Sequence, residues 1–597
     1  MPTYRAPVDD FRFILTELYD ASQLTAYEEY AEVTPDLMMS IVEEAGKFCE
    51  EVLGPLNASG DAEGCTWDNG VVRAPKGFKE AFKAYADGGW IGLAGDPKHG
   101  GQGLPLTLRF VVDEMVVGAN LSFAMYPGLS QGAGEAIHAH GSSEQQAFYL
   151  PRLASGEWAG TMCLTESHAG TDLGIIRTRA QQLDDGTYRV TGQKIFITAG
   201  EHDLTSNICH LVLAKLPGAA AGTRGISMFL VPKFIPNADG SLGVRNGVSC
   251  GSIEHKMGIK GSATCVLNFD DAVGYLVGEE GKGMRAMFTM MNSARLGVGI
   301  QGLGLATNSY HNAVTYARER LQGRSLSGIK NPEGPADPIL VHAETRRSLL
   351  VMRSFIEGAR ALATWTGMLI DQEFHDPSEE KRAEASDLVA LLTPIIKAFF
   401  TDLGFESTNV GLQLYGGHGY IREWGMEQFV RDARIGQIYE GTNYVQAIDL
   451  VGRKLPEGDG RLMQRYATIL AAELEAAGKV PALGEQVQAL AKAAGALRSA
   501  TEWIAEQAAR NPDEAGAAAI EYLRLFGYVA LGHQWLRTAR VAHERLAAGG
   551  AFPALHYEAK LATARFFFAR VLPQVHSLHA SLTAGADPIL AFPMEAY

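Results

Sequence analysis

The chain has 597 residues, too many for one compact core, so two to four domains are expected. A hydrophobic share of 46% and a charged share of 20% are those of a globular protein, and a net charge of −16 argues against general affinity for nucleic acid or anionic membranes. The six cysteines (49, 65, 163, 209, 250 and 265) form no CxxC pair, which excludes a disulfide framework or a zinc site and suits a reducing cytoplasm.

The N-terminus, MPTYRAPVDDFRF, has no apolar core of a signal peptide, and no uninterrupted apolar run approaches the ~20 residues of a bilayer span. A cytoplasmic location is the expectation. From Phe11 to about Tyr149, apolar residues recur at three- and four-residue spacing, as in FRFILTELYDASQL, and predict helices. A Gly- and Pro-rich loop, GDPKHGGQGLP (95–105), interrupts them. Between about Gly160 and Gly283, short β-branched and aromatic runs (TYRVTGQKIFITAG, ICHLVLAKL, GISMFLVPKF) alternate with turn residues, predicting an antiparallel barrel or sandwich. Helical spacing returns from Met284 to about Leu455. LPEGDG (455–460) reads as a linker, and the Ala-rich remainder reads as a separate helical bundle. The expected order is a helical domain (1–159), a central β domain (160–283), a helical bundle (284–455) and an appended helical domain (460–597), an α+β chain overall.

Gly297-Val298-Gly299-Ile300-Gln301-Gly302 fits GxGxxG. That pattern binds a dinucleotide only at a strand-to-helix turn. Here it lies inside a helical run, so close helix packing is the expected role.

The segment QLYGGHGYIREWGMEQFVRDARIGQIYEGTNYVQAIDLVGRKL (413–455) is unusual for a pair of structural helices. Gly416, Gly417 and Gly419 form a flexible turn whose main chain can approach a ligand. Glu440 stands in an uncharged stretch, IGQIYEGTNYV, directly before Gly441. A carboxylate there is expected to be partly desolvated, which raises its pKa toward that of a base working near neutrality. Local capping or pairing explains the same glutamate equally well on pattern alone.

Taken with MCLTESHAGTD (162–172) and KIFITAG (194–200), this segment resembles the acyl-CoA dehydrogenase family over roughly residues 35–455. The resemblance implies an acyl-CoA dehydrogenase-like fold, FAD as cofactor, no metal, and Glu440 of the YEGT motif as the base that removes the substrate α-proton. It places Met162, Leu164, Thr165, Gly170, Thr171, Phe196, Ile197, Thr198 and Thr442 at the cofactor. Phe196 stands where the family often has Trp. Ser167 and Thr171 are mild departures from its TEPxAGSD pattern. Arg324, Gln413, Gly416 and Gly417 are implied to reach the FAD of a neighbouring subunit, so a homodimer or dimer of dimers follows. Thr171, Arg295, Tyr439 and Gly441 are implied at the substrate, Arg453 near the CoA phosphates, and the His99–Gly103 loop near the mouth of the site.

The implied reaction is α,β-dehydrogenation of an acyl-CoA to a trans-2-enoyl-CoA, with electrons passing to an electron-transferring flavoprotein. The chain length, the N-terminal run MPTYRAPVDDFRFIL and the appended helices resemble the 3-methylmercaptopropionyl-CoA dehydrogenase branch, which implies a thioether propionyl or a straight-chain acyl-CoA substrate. The rivals are an acyl-CoA oxidase, which hands electrons to oxygen, and a nucleic-acid-binding flavoprotein of the alkylation-response type, which the charge balance opposes. A membrane role for AKLATARFFFARVL (559–572) competes with simple packing.

Overall fold

The computed structural model describes residues 2–597, and the chain divides into two compact units. One comprises the N-terminal segment up to Lys47, Pro105–Gly118 and Val298–Tyr597; the other comprises Phe48–Leu104 and Ala119–Gly297. Long helices cross this division in sequence. Leu106–His140 changes unit near its kink at Asn120 (φ −161°, ψ 92°), and Gly283–Glu319 changes unit after Gly297.

The second unit is built around a closed ring of five strands. In order these are Thr264–Val277, Tyr188–Thr198, Arg179–Gln182, Asn207–Lys215 and Ile226–Pro232, the last pairing back to the first. Val248–Ile253 and Trp158–Cys163 add to the ring from outside. The expectation of an antiparallel domain needs one correction. Trp158–Cys163 runs parallel to Asn207–Lys215, and Arg179 meets Lys215 in parallel register. Parallel neighbours need a long crossover, and the hairpin-bearing segment between Cys163 and Asn207 supplies it.

Asn207–Lys215 is buried along almost its whole length, and its alternating side chains serve two cores. Val212 and Ala214 point into the ring with Phe229 and Val231. Cys209, Leu211 and Leu213 pack outward against Ile137, Tyr149, Leu153 and Met287 of the helices. All six cysteines are free thiols.

The first unit is helical. Its central helix, Glu379–Leu414, packs beside Ala343–His375 and the N-terminal part of the unit's Val298–Glu319 stretch. It is the one helix among the described residues long and apolar enough to cross a membrane, and 78% of its most apolar window is buried inside the protein.

The GxGxxG segment is helical throughout, and its second and third glycines touch the central helix. A Cβ on Gly299 would lie 2.8 Å from the Ile396 carbonyl oxygen, and one on Gly302 2.5 Å from that of Phe400. The missing side chains let two helices approach to backbone contact.

The helices that follow LPEGDG lie in the same compact unit as Val298–Leu455. The linker turns the chain, but the helices it joins share a core. Trp535, 1% exposed, donates its indole N–H to the Ser354 carbonyl (2.7 Å), and Gly527 leaves room for the Phe399 ring. Arg461 grips Asp387 with two hydrogen bonds (2.7 and 3.0 Å). Phe567, Phe568 and Val571 are buried, so packing accounts for the apolar AKLATARFFFARVL run.

Candidate active site

Glu440 lies in the short connection between helix Met426–Arg434 and helix Asn443–Asp449. Glu440 (φ 55°) and Gly441 (φ 81°) are consecutive left-handed residues. Gly441 adopts that conformation freely, whereas for a glutamate it costs on the order of 1 kcal/mol. Such a conformation persists only where the surroundings fix it, and here they do. The Gln446 side-chain amide donates to the carbonyls of Glu440 (3.2 Å) and Gly441 (3.4 Å), and a Cβ at 441 would approach that amide to 2.7 Å. Thr442 caps the following helix, accepting from the Val445 N–H (3.3 Å).

Beneath the connection, Asn443 is buried and fully engaged. Its amide donates to the Ala398 carbonyl (3.2 Å), the Thr401 hydroxyl (3.0 Å) and the Asp402 carboxylate (2.7 Å). Its Oδ1 accepts from the buried Lys397 ammonium (2.9 Å). Gln437, on the other side of Glu440, also donates to Asp402 (2.7 Å). The central helix therefore grips the loop on both flanks of the glutamate. Tyr439 donates its hydroxyl to Gln301, and burial together with the neighbouring Glu440 carboxylate pushes its phenol well above the usual range. Gln301, Lys397, Asp402, Asn443 and Gln446 were not singled out from sequence. The one available signal was a lysine within the apolar run LLTPIIKAFF.

In the second unit, Leu164–Glu166 is stitched to strand Tyr188–Thr198. The Ile195 N–H donates to the Thr165 carbonyl (2.9 Å), and the buried Lys194 ammonium donates to the Leu164 carbonyl (2.8 Å) and the Glu166 carboxylate (2.9 Å). Glu166 also accepts from the main-chain N–H groups of Arg177 (2.7 Å) and Thr178 (3.0 Å) and from the Thr178 hydroxyl (2.6 Å). Burial raises the Glu166 pKa, but the Lys194 charge and these donors outweigh it and hold the carboxyl at about 2. This pair too was missed from sequence.

Opposite Val266 the strand carries a bulge. Cys265 pairs with Ile197 and Leu267 with Lys194, so Ile195 and Phe196 together oppose one residue. Phe196 takes a left-handed φ of 60°, and the residue is 59% exposed. Thr165 and Thr198 are half-buried. Ile197 is buried in the ring core, so only its main chain is available to a ligand. Leu164 belongs to the outer core, with Met162 packed against it. Gly170 and Thr171 are exposed on the loop that Asp172 caps through the Gly174 N–H (2.9 Å).

The remaining expected positions fall as follows. Arg295 is buried, with its guanidinium over the Phe288 ring at 5.9 Å. Arg324 donates to the carbonyls of Asn331 (2.8 Å) and Gly334 (2.6 Å) within its own loop and pairs with Asp337 (3.3 Å). Arg453 pairs with Asp449 (2.6 Å). Gln413, Gly416 and Gly417 are exposed at the end of the central helix, and Gly416 has φ 57°. A clamp of stacked rings supports that turn, Tyr316 on Tyr415 (4.0 Å) and His418 on Trp424 (4.2 Å). In the His99–Gly103 loop, Gly101 packs directly on the Gly95 main chain.

Four family models match the chain: acyl-CoA dehydrogenase N-terminal domain (37–157), middle domain (161–272) and C-terminal domain (281–455), and "Acetyl-CoA dehydrogenase C-terminal like" (462–593). The chain belongs to the acyl-CoA dehydrogenase family. Among curated members, the 3-methylmercaptopropionyl-CoA dehydrogenase of Ruegeria pomeroyi is 43% identical, covering 98% of this chain and 99% of that protein. A butyryl-CoA dehydrogenase of Syntrophomonas wolfei is 34% identical over 100% and 99%. Among solved structures, an acyl-CoA dehydrogenase of Bacillus anthracis shares the fold at a TM-score of 0.74, with 22% identity and 94% and 90% coverage. The family's fold, with helical, β and helical domains and an extra C-terminal helical region, is therefore that of this chain. Within it, Glu440 occupies the helix-bearing C-terminal domain match and Phe196 the middle one.

Proposed function

We propose that this acyl-CoA dehydrogenase family member binds FAD and removes the α-proton of an acyl-CoA thioester with Glu440. The observation that carries the reading is the Glu440 connection itself: a glutamate with a left-handed main chain, anchored on both flanks by part-buried hydrogen bonds, as a preorganised base requires.

The β unit fits the flavin. Phe196, at the bulge, is 59% exposed, where a planar aromatic ring system would cover it, and Thr165 and Thr198 of the paired segments are half-buried hydroxyl residues. FAD, when bound, supplies the acceptor for the substrate β-hydride. The chain's own work is to position and to move the proton. Glu440 takes the α-proton, its main-chain N–H is assigned to the thioester oxygen on which charge develops, and Gln446 and Asn443 hold the loop in register. The Lys194–Glu166 pair fixes the Leu164–Glu166 segment that carries Thr165.

The substrate assigned first is 3-methylmercaptopropionyl-CoA, from the likeness to the Ruegeria enzyme; the Syntrophomonas relative supports a short straight-chain acyl-CoA as the second reading. We assign an electron-transferring flavoprotein as acceptor and a dimer or dimer of dimers as the assembly, with Arg324 and the Gln413–Gly417 turn serving a partner's cofactor.

The test is an anaerobic titration of the flavin-loaded protein with butanoyl- to palmitoyl-CoA and 3-methylthiopropanoyl-CoA, following bleaching of the flavin band. Bleaching by 3-methylthiopropanoyl- or butanoyl-CoA is expected. Glu440→Gln should keep its FAD and lose roughly 10²–10⁴ in bleaching rate. A flavin-loaded wild type that no thioester bleaches, or a Glu440→Gln variant of near-normal rate, refutes the reading.

A further inference from the structure

Two cavities stand out on the first unit, and they differ in what their polar groups are doing. One, near the N-terminus, is lined by Thr16, Asp20 and Ser22, whose side chains already bond locally: Thr16 to the Arg12 carbonyl, and Ser22 to Asp20. The other, of about 290 Å³, lies among the appended helices. It is bounded by the first turn of helix Gly484–Ala508, the C-terminal part of Pro512–Ala548, and Ala554–Phe566.

Helical spacing builds this second cavity. Ala539 and His543 are four residues apart on one helix, as are Leu561 and Arg565 on another, so each pair presents one face. Leu483 and Ala539, both nearly fully buried, together with Leu561 make an apolar wall. Three polar side chains line the same space: Gln486, His543 and Arg565. None of the three has a hydrogen bond or ion pair with any other described residue, and the Gln486 Oε1 is buried and without a partner. A buried acceptor left unpaired destabilises a fold. An unpaired guanidinium beside an apolar wall is the arrangement that receives a carboxylate. These groups belong to none of the machinery around Glu440 or Phe196.

We propose that this cavity is a binding site for a small carboxylate with an apolar body and a hydroxyl or amide N–H donor. Arg565 takes the carboxylate in a bidentate pair and His543 flanks it. The apolar body lies on Leu483, Ala539 and Leu561, and the ligand's donor satisfies Gln486 Oε1. The volume equals that of about ten waters, which limits the ligand to a compact acid and excludes a whole coenzyme A thioester.

The experiment is isothermal titration of the flavin-loaded full-length protein with 3-hydroxyhexanoate, hexanoate and 1-hexanol as probes. Saturable binding of 3-hydroxyhexanoate is expected, with hexanoate roughly two- to tenfold weaker for loss of the Gln486 bond. Hexanol should not bind measurably. Arg565→Ala, an exposed position that should fold normally, is expected to weaken 3-hydroxyhexanoate at least tenfold. Ala562→Leu, which fills the cavity from its rim, should abolish binding, whereas Glu440→Gln should leave it unchanged. Absence of saturable binding at millimolar probe, or affinity indifferent to both Arg565→Ala and Ala562→Leu, overturns the proposal.

Discussion

Two glycines of one motif should respond to the same substitution with opposite signs. At Gly302 an added Cβ would lie 2.5 Å from the Phe400 carbonyl oxygen and 3.0 Å from both the Phe400 carbonyl carbon and the Thr401 Cα. All three are main-chain atoms of the central helix, so no side chain can rotate away. Gly404 faces the same crossing, with its own Cβ position 2.5 Å from the Gly302 oxygen. The helices would have to separate, at a cost near the upper end of the ~1–3 kcal/mol range for overpacking, against ~1 kcal/mol gained in helix propensity. The net expectation for Gly302→Ala is a loss of about 2 kcal/mol. At Gly297 no heavy atom lies within 4 Å of the Cβ position, so Gly297→Ala should instead gain ~0.5–1 kcal/mol from propensity alone. Urea unfolding of the two variants, read as midpoints at constant slope, should place them about 3 kcal/mol apart on either side of wild type. A Gly302→Ala variant as stable as wild type would refute the packing argument. Loss of FAD from a stably folded Gly297→Ala variant would point back to a nucleotide-binding turn.

Other expectations follow from each unit taken by itself. The depressed Glu166 carboxyl (about 2, against 4.5 when unperturbed) contributes stability that is fully present above about pH 4.5 and lost as pH falls toward 2. Because burial also lowers the Lys194 ammonium, the net is on the order of 2–3 kcal/mol; an acid titration of Glu166→Gln should show a shallower loss over that window, and an unchanged slope would contradict it. Asn443→Ala frees the Glu440 loop from the central helix and should lower the bleaching rate by roughly 10–10² with FAD retained, as a misplacement of about 1 Å does. Equal rates in single-turnover mixing would show that Asn443 serves stability only. Lys560→Met strips a buried ammonium from Asp10 and Glu357 (2.9 Å) and should cost about 3 kcal/mol by urea midpoint, whereas a loss below 1 kcal/mol would mean Arg353 and Arg360 suffice.

What could be read from the sequence was local, and what could not depends on partners distant in the chain. Glu440 stood out as a lone charge in an apolar stretch next to glycine, but that pattern served a local cap equally well, and only the resemblance of YEGT favoured a base. The helical nature of GVGIQG was visible because periodicity continues through it. The Phe196 bulge was not, since a bulge is a mismatch of register against Val266, some 70 positions away, and nothing in KIFITAG alone reports it. Nor was the parallel pairing of Trp158–Cys163 with Asn207–Lys215: each reads as a strand, but direction is a property of the crossover. The Asn443 network joins a loop to a helix more than 40 residues earlier, and Lys397 taken alone reads as a break in an apolar run. LPEGDG was legible as a boundary, and the family models part there, one ending at 455 and the next beginning at 462. Its composition marks a turn, and a turn says nothing about whether the flanking helices share a core.

That shared core changes what the appended helices are for. Lys560 on Ala554–Phe566 meets Asp10 of the N-terminal segment and Glu357 of helix Ala343–His375; Arg360 of that helix reaches back to Asp10 and to Glu114. All five groups are largely buried, and the Lys560 and Arg360 charges hold the Asp10 carboxyl well below its usual range despite the burial that would raise it. Tyr557 repeats the link one turn away through Glu17 (3.0 Å). The first and last thirds of the chain are thus joined through the helix that packs on Glu379–Leu414, and Glu379–Leu414 is the element whose Lys397, Thr401 and Asp402 hold the Glu440 loop. A buried charge stripped of its partner is strongly destabilising. Loss of Asp10 or Lys560 is therefore expected to disturb the helix pair that holds the Glu440 loop, although neither residue is near that loop in sequence.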